Sequence, residues 1–283
     1  MNCDLTLQIN SIELPVVYIS LLRPLNCAIT FISVLVGSWV GKEIEISSSI
    51  IIAGTIGFSV CAFGNIVNDI FDIEIDRINC PNRPLPSGRV KKETAIIMAL
   101  AFLLFATVLT FKLKFYPAMI VALASSLLFL YAIFFKRTPF ANLIVGLVAG
   151  LSFIFGGFIT ENYYSLFPFF FAILIHLARE IVKDVIDIKG DQAFKINSLP
   201  ILLGPEKALR IAGIVLVLLL AIIPLPFILR ILNLRYLLIS IIGAYPLIIW
   251  TIIKLFRASA DYHLQSNLLK FVMGIGLVGF IFG

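Results

Sequence analysis

An all-α, multi-pass transmembrane bundle of about nine helices is the fold class this sequence predicts, on three observations. The 283 residues are 60% hydrophobic and only 13% charged, with a mean hydropathy of +1.07, whereas soluble domains are roughly half apolar. Nine apolar runs are long enough to cross a hydrocarbon core about 30 Å thick. Lysine and arginine collect in every second loop between those runs, the asymmetry that orients helices in a bilayer.

The runs lie at 16–40, 47–67, 93–111, 116–135, 141–160, 166–182, 208–229, 236–253 and 267–283. The fifteen residues ahead of the first are of mixed polarity and carry no cleavage-site pattern, so no removable signal peptide is expected. Near its start the first run holds Arg23-Pro24-Leu25-Asn26. Snorkelling accounts for an arginine at a membrane boundary but not for Asn26 within the span. The second run leads into Asp69, Asp72 and Asp76, and Pro81, Pro84 and Pro86 stop it and stiffen the loop beyond. The fourth carries Tyr131 near its cytoplasmic end, and Lys136 and Arg137 follow it there. The fifth carries Gly146, Gly150, Gly156 and Gly157, small residues that let helices approach closely. The sixth leads into Asp184, Asp187 and Asp191, with Gly190 breaking the helix there and Pro200 and Pro205 constraining the loop after it. The remaining runs are read as spans from their apolar length. No linker sets off a soluble part, so residues 1–283 form one transmembrane domain.

Arg77, Arg83, Arg89, Lys91 and Lys92 come after the second span, Lys136 and Arg137 after the fourth, Lys189, Lys195 and Lys207 after the sixth, and Lys254 and Arg257 after the eighth. The opposite loops carry only Lys42, Lys112, Lys114, Arg230 and Arg235. The first set is therefore cytoplasmic, the N-terminus is inside, and an odd number of spans puts the C-terminus outside. The net charge of +6 reflects this topology together with phosphate binding, and no nucleic-acid partner is implied. The four cysteines, Cys3, Cys27, Cys61 and Cys80, show no metal-binding spacing, and Cys27 and Cys61 read as small core residues.

The chemistry lies in the aspartates. Residues at i, i+3 and i+7 of a helix fall within roughly 60° of one another and span about 10 Å along the axis. Asp69, Asp72 and Asp76 thus form one carboxylate stripe, and Asp184, Asp187 and Asp191 form a second. An offset of 115 residues carries one stripe onto the other, and also Asn65 onto Glu180 and Asn68 onto Lys183. Asn65 and Glu180 lie four residues ahead of their triplets and join the same faces. Three like charges beside a bilayer repel unless a cation neutralises them. Hard oxygen donors on two facing helices suit Mg²⁺, which binds through a few carboxylates and a substrate's phosphate oxygens. The paired stripes therefore read as a metal site built to hold a polyanion at the cytoplasmic face, with the adjoining loops folding over it. Arg77 and Arg83 come within reach of a phosphate at the first stripe, while Arg179 and Lys183 either balance the second or touch phosphate. His176, two turns before Asp184, reads as a hydrogen-bonded packing residue, and His263 as solvated.

NDIFDIEIDRINCPNRPLPSG (Asn68 to Gly88) and REIVKDVIDIKGD (Arg179 to Asp191) resemble the two signature motifs of the UbiA superfamily of intramembrane prenyltransferases. The resemblance covers the whole chain. It implies a helical bundle around a central cavity capped by cytoplasmic loops, with Mg²⁺ held between a prenyl diphosphate and the two motifs. Carried over residue by residue, it makes Asn68, Asp69, Asp72 and Asp76 metal ligands in the first motif and Asp184, Asp187 and Asp191 in the second. Asp72, Asp76, Asp187 and Asp191 are the catalytic members. It also implies diphosphate contacts from Tyr131, Lys136 and Arg137, and acceptor placement by Arg23 and Asn26 in an Arg-Pro-x-Asn signature. The Arg-Glu-x-x-Lys-Asp opening of the second motif is most similar to the archaeal branch that builds ether lipids. That branch implies geranylgeranyl diphosphate as donor and a lipid-like acceptor, geranylgeranylglyceryl phosphate, whose phosphate would need its own cations, such as Lys136, Arg137 or Lys195. An aromatic acceptor on a quinone pathway is the alternative within the family. A membrane cation transporter is the alternative outside it, though transporter sites lie near the bilayer midplane on broken helices. A CDP-alcohol phosphotransferase would need a longer Gly-containing Asp signature that this sequence lacks.

Overall fold

The structure is a computed structural model that describes residues 13–113, 115–257 and 261–283; Cys3 and Lys114 lie outside the described residues. Helices α1 (Glu13–Leu22) and α2 (Pro24–Trp39) form one span bent by 44°. Then come α3 (Ser48–Phe71), the short α4 (Ile73–Asn79), α5 (Lys92–Thr110), α6 (Phe115–Ile133) and α7 (Ala141–Thr160). Helix α8 (Leu166–Ala193) is succeeded by α9 (Leu199–Leu203), α10 (Pro205–Ile222) and α11 (Leu225–Ile228). Finally α12 (Leu234–Ile239) joins α13 (Tyr245–Phe256) through a π turn at Ser240–Ala244, and α14 (Tyr262–Phe282) ends the chain. Among the described residues eight helices are long and apolar enough to cross a membrane, and nine when the bent pair counts as one span. The protein is a multi-pass membrane protein.

The helices close into a ring. Helix α2 packs on α3, α3 on α6, α6 on α7, α7 on α8, α8 on α10 and α14, and α14 returns to α2. Lipid gives apolar side chains no reason to leave it, so the ring is held by close backbone approach and by polar contacts. A Cβ on Gly156 would lie 1.9 Å from the carbonyl oxygen of Val34, so α7 meets α2 there only because that residue is glycine. Beside it Ser38 Oγ donates to the Gly156 carbonyl at 3.0 Å, and Asn162 Nδ2 to that of Val40 at 2.9 Å. Gly146 and Gly150 give α8 the same close fit, against Ile173 and Phe169. Outward faces carry large apolar side chains, such as Ile97 and Leu104 on α5, which are 67% and 65% exposed and so meet lipid.

Three features differ from the sequence-based expectation, each with a physical cause. The first span is broken at Arg23, whose backbone is left-handed (φ 51°) ahead of Pro24, a conformation that costs on the order of 1–3 kcal/mol and persists only when neighbours enforce it. The first aspartate helix is interrupted at Asp72 (φ −93°, ψ 1°), which divides α3 from α4. The helical path survives, since Asp72 N bonds Asn68 O at 3.0 Å and Asp76 N bonds Asp72 O at 2.8 Å. Gly190 does not break α8, which runs on to Ala193. A Cβ on Gly190 would lie 2.2 Å from Asn79 Oδ1, so the glycine is there to let the end of α4 press against α8.

Candidate active site

The contact between α4 and α8 brings the two aspartate motifs, 115 residues apart in sequence, to one end of the bundle. Beneath them opens a cavity of about 700 Å³, within the range of about 300–1,000 Å³ typical of small-molecule sites. Its deep walls are apolar, with Val148, Phe153, Phe155, Phe171 and Phe280 among them, and its mouth is lined by Asp72, Asp76, Asp184, Asp187 and Asp191.

The first cluster is neutralised. Asp69, Asp72 and Asp76 are only 4%, 5% and 5% exposed, so each needs a partner. Arg23 pairs with Asp69 and Lys136 with Asp72. Arg83 Nη1 lies 2.6 Å from Asp76 Oδ2 and 3.8 Å from Asp69 Oδ1. Asn68 Nδ2 donates to Asp72 Oδ2 at 2.7 Å, leaving its own Oδ1 buried and unpartnered. Burial pushes the Asp76 carboxyl above its ordinary range, with the charges of Asp72 and Asp69 adding to the effect and Arg83 opposing it. The ion pair to Asp69 also explains why Arg23 holds its left-handed backbone. Asn65 completes the break: its Nδ2 donates at 2.9 Å to the Leu22 carbonyl, whose helical donor, Asn26 N, turns instead to the Arg23 carbonyl at 2.8 Å.

The second cluster is bare by comparison. Asp184 accepts a hydrogen bond from Asn142 Nδ2 at 2.8 Å, and among the described residues no lysine or arginine is ion-paired with Asp184, Asp187 or Asp191. Two cations of this helix bond Glu180 instead, Arg179 Nη1 at 2.5 Å and Lys183 Nζ at 3.0 Å. Among the described residues no three His, Cys, Asp or Glu side chains converge on one point. The donor set nonetheless fits Mg²⁺, because every candidate ligand is oxygen, several are carboxylates, and the buried Oδ1 of Asn68 has no partner.

The structure gathers most of the sequence-predicted residues around this cavity. Arg23, Asn26, Asn65, Asn68, Arg83, Tyr131, Lys136, Arg179 and Lys183 line it along with the aspartates at its mouth. Four candidates sit elsewhere. Asp69 lies outside the lining, bound to Arg23 and Arg83. Arg77 pairs with Glu74 on the surface at 2.7 Å, with both side chains more than half exposed. Arg137 is exposed, and its backbone is engaged instead: its N–H donates to the Phe134 carbonyl and its carbonyl accepts from Asn197 N. Lys195, a candidate cation for an acceptor phosphate, is also exposed and outside the lining. His176 departs from the packing role expected of it: it lines the cavity and its Nδ1 has no partner. Sequence reasoning missed Asn142, Asn79 and Lys270. Asn142 and Asn79 have no charge to flag them, but Lys270 is a lysine inside an apolar span, which is by itself a signal of function.

A helical membrane protein whose apolar cavity opens beneath two oxygen-donor clusters and a ring of cations is built to hold an amphiphile with a polyanionic head. That class is an intramembrane transferase of apolar groups. The UbiA prenyltransferase family matches residues 30–273, and the chain belongs to that family. The digeranylgeranylglyceryl phosphate synthase of Methanosphaera stadtmanae is 35% identical over 269 residues, covering 94% of this chain and 98% of that one. A solved structure of digeranylgeranylglyceryl phosphate synthase superposes with a TM-score of 0.75 at 35% identity, over 95% of this chain and 98% of that one. A UbiA homologue from Archaeoglobus fulgidus, solved bound to GPP and Mg²⁺, shares the fold at 20% identity with a TM-score of 0.67, over 93% and 99% of the two chains.

Proposed function

We propose that this prenyltransferase moves a geranylgeranyl group from geranylgeranyl diphosphate to the glycerol hydroxyl of geranylgeranylglyceryl phosphate, forming an ether of archaeal membrane lipid. The observation that carries this reading is the 35% identity with archaeal synthases over nearly the full length of both chains. The cavity agrees with it: charged at the mouth, apolar in depth, and therefore shaped for isoprenoid substrates with anionic heads.

Asp72, Asp76, Asp187 and Asp191 would hold Mg²⁺, with Asn68 and Asp184 beside them. Bound there, the metal would neutralise charge on the diphosphate and make it a better leaving group. The chain's own residues do the rest. Lys136 and Arg83 lie at the first cluster and take up part of the negative charge that grows as the allylic C–O bond breaks. The phenylalanine-rich depth holds the prenyl tail and keeps water from the electron-deficient carbon. The acceptor oxygen bonds to that carbon and gives up its proton, and diphosphate departs. Residues 1–283 act as one domain, with the N-terminus and the site at the cytoplasmic face and the C-terminus outside.

Turnover tests the reading directly. The purified protein in lipid nanodiscs, given geranylgeranyl diphosphate and Mg²⁺, receives geranylgeranylglyceryl phosphate in one reaction and 4-hydroxybenzoate in another. Ether product from the glyceryl phosphate alone is expected, and chelation of Mg²⁺ abolishes it. Product only from the aromatic acid would move the enzyme to quinone synthesis.

A further inference from the structure

Where α8 and α14 line the cavity, three cations share one bonded carboxylate among the described residues. Arg179 and Lys183, on α8, both bond Glu180. Lys270, on α14, enters the same wall, and its Nζ donates at 3.1 Å to Oδ1 of Asn26 on α2. Arg179 Nε also donates to the carbonyl of Ser266, one turn before Lys270, at 3.3 Å, which ties the two helices together at this level. Arg179, Arg23 and Lys183 all bear on Lys270 as like charges. Arg23 is answered by Asp69, and Glu180 answers one of the other three. Asp184, next in sequence to Lys183, bonds Asn142. Set against its one bonded carboxylate, this wall carries two further positive charges, with Asp184, outside any ion pair among the described residues, beside Lys183.

Unbalanced charge at membrane depth is costly and calls for a function. Lys136 and Arg83 differ in kind, since each is ion-paired to an aspartate of the first motif. Among the described residues Lys270 bonds a neutral amide and no carboxylate, and Arg179 and Lys183 share Glu180. A phosphate monoester carries about −1.5 to −2 charge at neutral pH, which matches the surplus. A glycerol head joined to that phosphate would also meet the unpartnered Nδ1 of His176, one turn deeper on α8 than Glu180.

Resting on the function proposed above, we propose that Lys270, Arg179 and Lys183 form a second anion site, distinct from the diphosphate site, that binds the phosphomonoester of the acceptor lipid. Glu180 holds Arg179 and Lys183 in place, and Asn26 holds Lys270. The site selects an acceptor with a terminal phosphate over an uncharged or aromatic one.

Lys270→Met tests this in the full-length enzyme in nanodiscs. The KM for geranylgeranylglyceryl phosphate rises at least tenfold while the KM for geranylgeranyl diphosphate stays within twofold, and Lys270→Arg restores most of the loss. An acceptor lacking the phosphate is used equally well by wild type and variant. An equal rise in donor KM would assign these cations to the diphosphate and overturn the proposal, as would an unmoved acceptor KM. A second arm needs neither turnover nor metal: binding of a phosphatidic acid probe without Mg²⁺ weakens at least tenfold in Lys270→Met and in Arg179→Gln. Equal binding by wild type and both variants overturns the anion site. If the wild type makes no ether from the glyceryl phosphate, the proposed function fails, and this arm alone decides the site.

Discussion

Asp69, Asp72 and Asp76 draw their cations from three separate parts of the chain: Arg23 at the break in the first span, Lys136 after α6, and Arg83 in the loop after α4. Asp184, Asp187 and Asp191, with the same spacing, project from one continuous helix and make no ion pair among the described residues; Asp184 accepts instead from the Asn142 amide. The same triplet therefore serves two ends. The first cluster, through its ion pairs, ties three parts of the chain together at the mouth of the bundle. The second has no ion pair of its own among the described residues, which leaves it the half more open to an incoming cation.

The largest expected effect comes from removing charge on the bare side. Asp191→Asn is predicted to lower turnover by about 10²–10³-fold, the usual size of one lost electrostatic stabiliser, with little change in thermal stability, because no basic partner is stranded. Asp72→Asn should lose comparable activity and also stability, since Lys136, with its side chain 23% exposed, is left unpaired. The full penalty of breaking a buried pair is about 3–5 kcal/mol, and partial exposure reduces it. Thermal unfolding of both variants in one detergent measures the contrast; equal destabilisation would mean the two clusters are not differently built.

A smaller effect sharpens the same point. Lys136→Met should weaken binding of the donor diphosphate. In a cycle with Asp72→Asn the two changes should be non-additive in stability by about 0.5–3 kcal/mol, as expected for residues in direct contact. Donor affinity equal to wild type would leave Lys136 as a structural partner of Asp72 alone.

Much of this was legible in the sequence, and the reason it stopped where it did is physical. Apolar length and loop charge give the spans, and a spacing of i, i+3 and i+7 gives the stripes, because both are local properties of a helix. Which cation faces which carboxylate is not local: Lys136 is 64 residues from Asp72, and Arg23 is 46 from Asp69. Gly190 reads as a helix breaker by propensity, yet its place is set by Asn79 from another helix. Arg77 and Arg83 look equivalent in sequence, but a few residues of loop separate a surface pair from a buried one. Lys270 was within reach of a stricter rule, that any charge inside a span needs a reason.

The difference between Arg83 and Arg77 yields the smallest effect and the one with a pH signature. Asp76 carries a carboxyl already raised above its ordinary value near 3.8 by burial, with Arg83 holding it down. Arg83→Ala removes that restraint and raises the value further, while leaving Asp69, Asp72 and Asp76 to repel one another. A carboxyl whose folded-state value is raised contributes stability at low pH that is lost as pH climbs through that value. The stability deficit of Arg83→Ala against wild type should therefore be greatest above neutrality, on the order of 1–2 kcal/mol after allowance for a side chain 37% exposed. It should shrink as pH falls through the raised Asp76 value, because protonation removes the charge that Arg83 had balanced. Arg77→Ala, which breaks only an exposed pair with Glu74, should change stability by about 0–1 kcal/mol with no such slope. Unfolding midpoints at pH 5 and pH 8 for wild type and both variants make the comparison. A deficit in Arg83→Ala that is equal at both pH values would mean that Arg83 holds the loop over the site by packing, and that the first cluster owes its balance to Arg23 and Lys136.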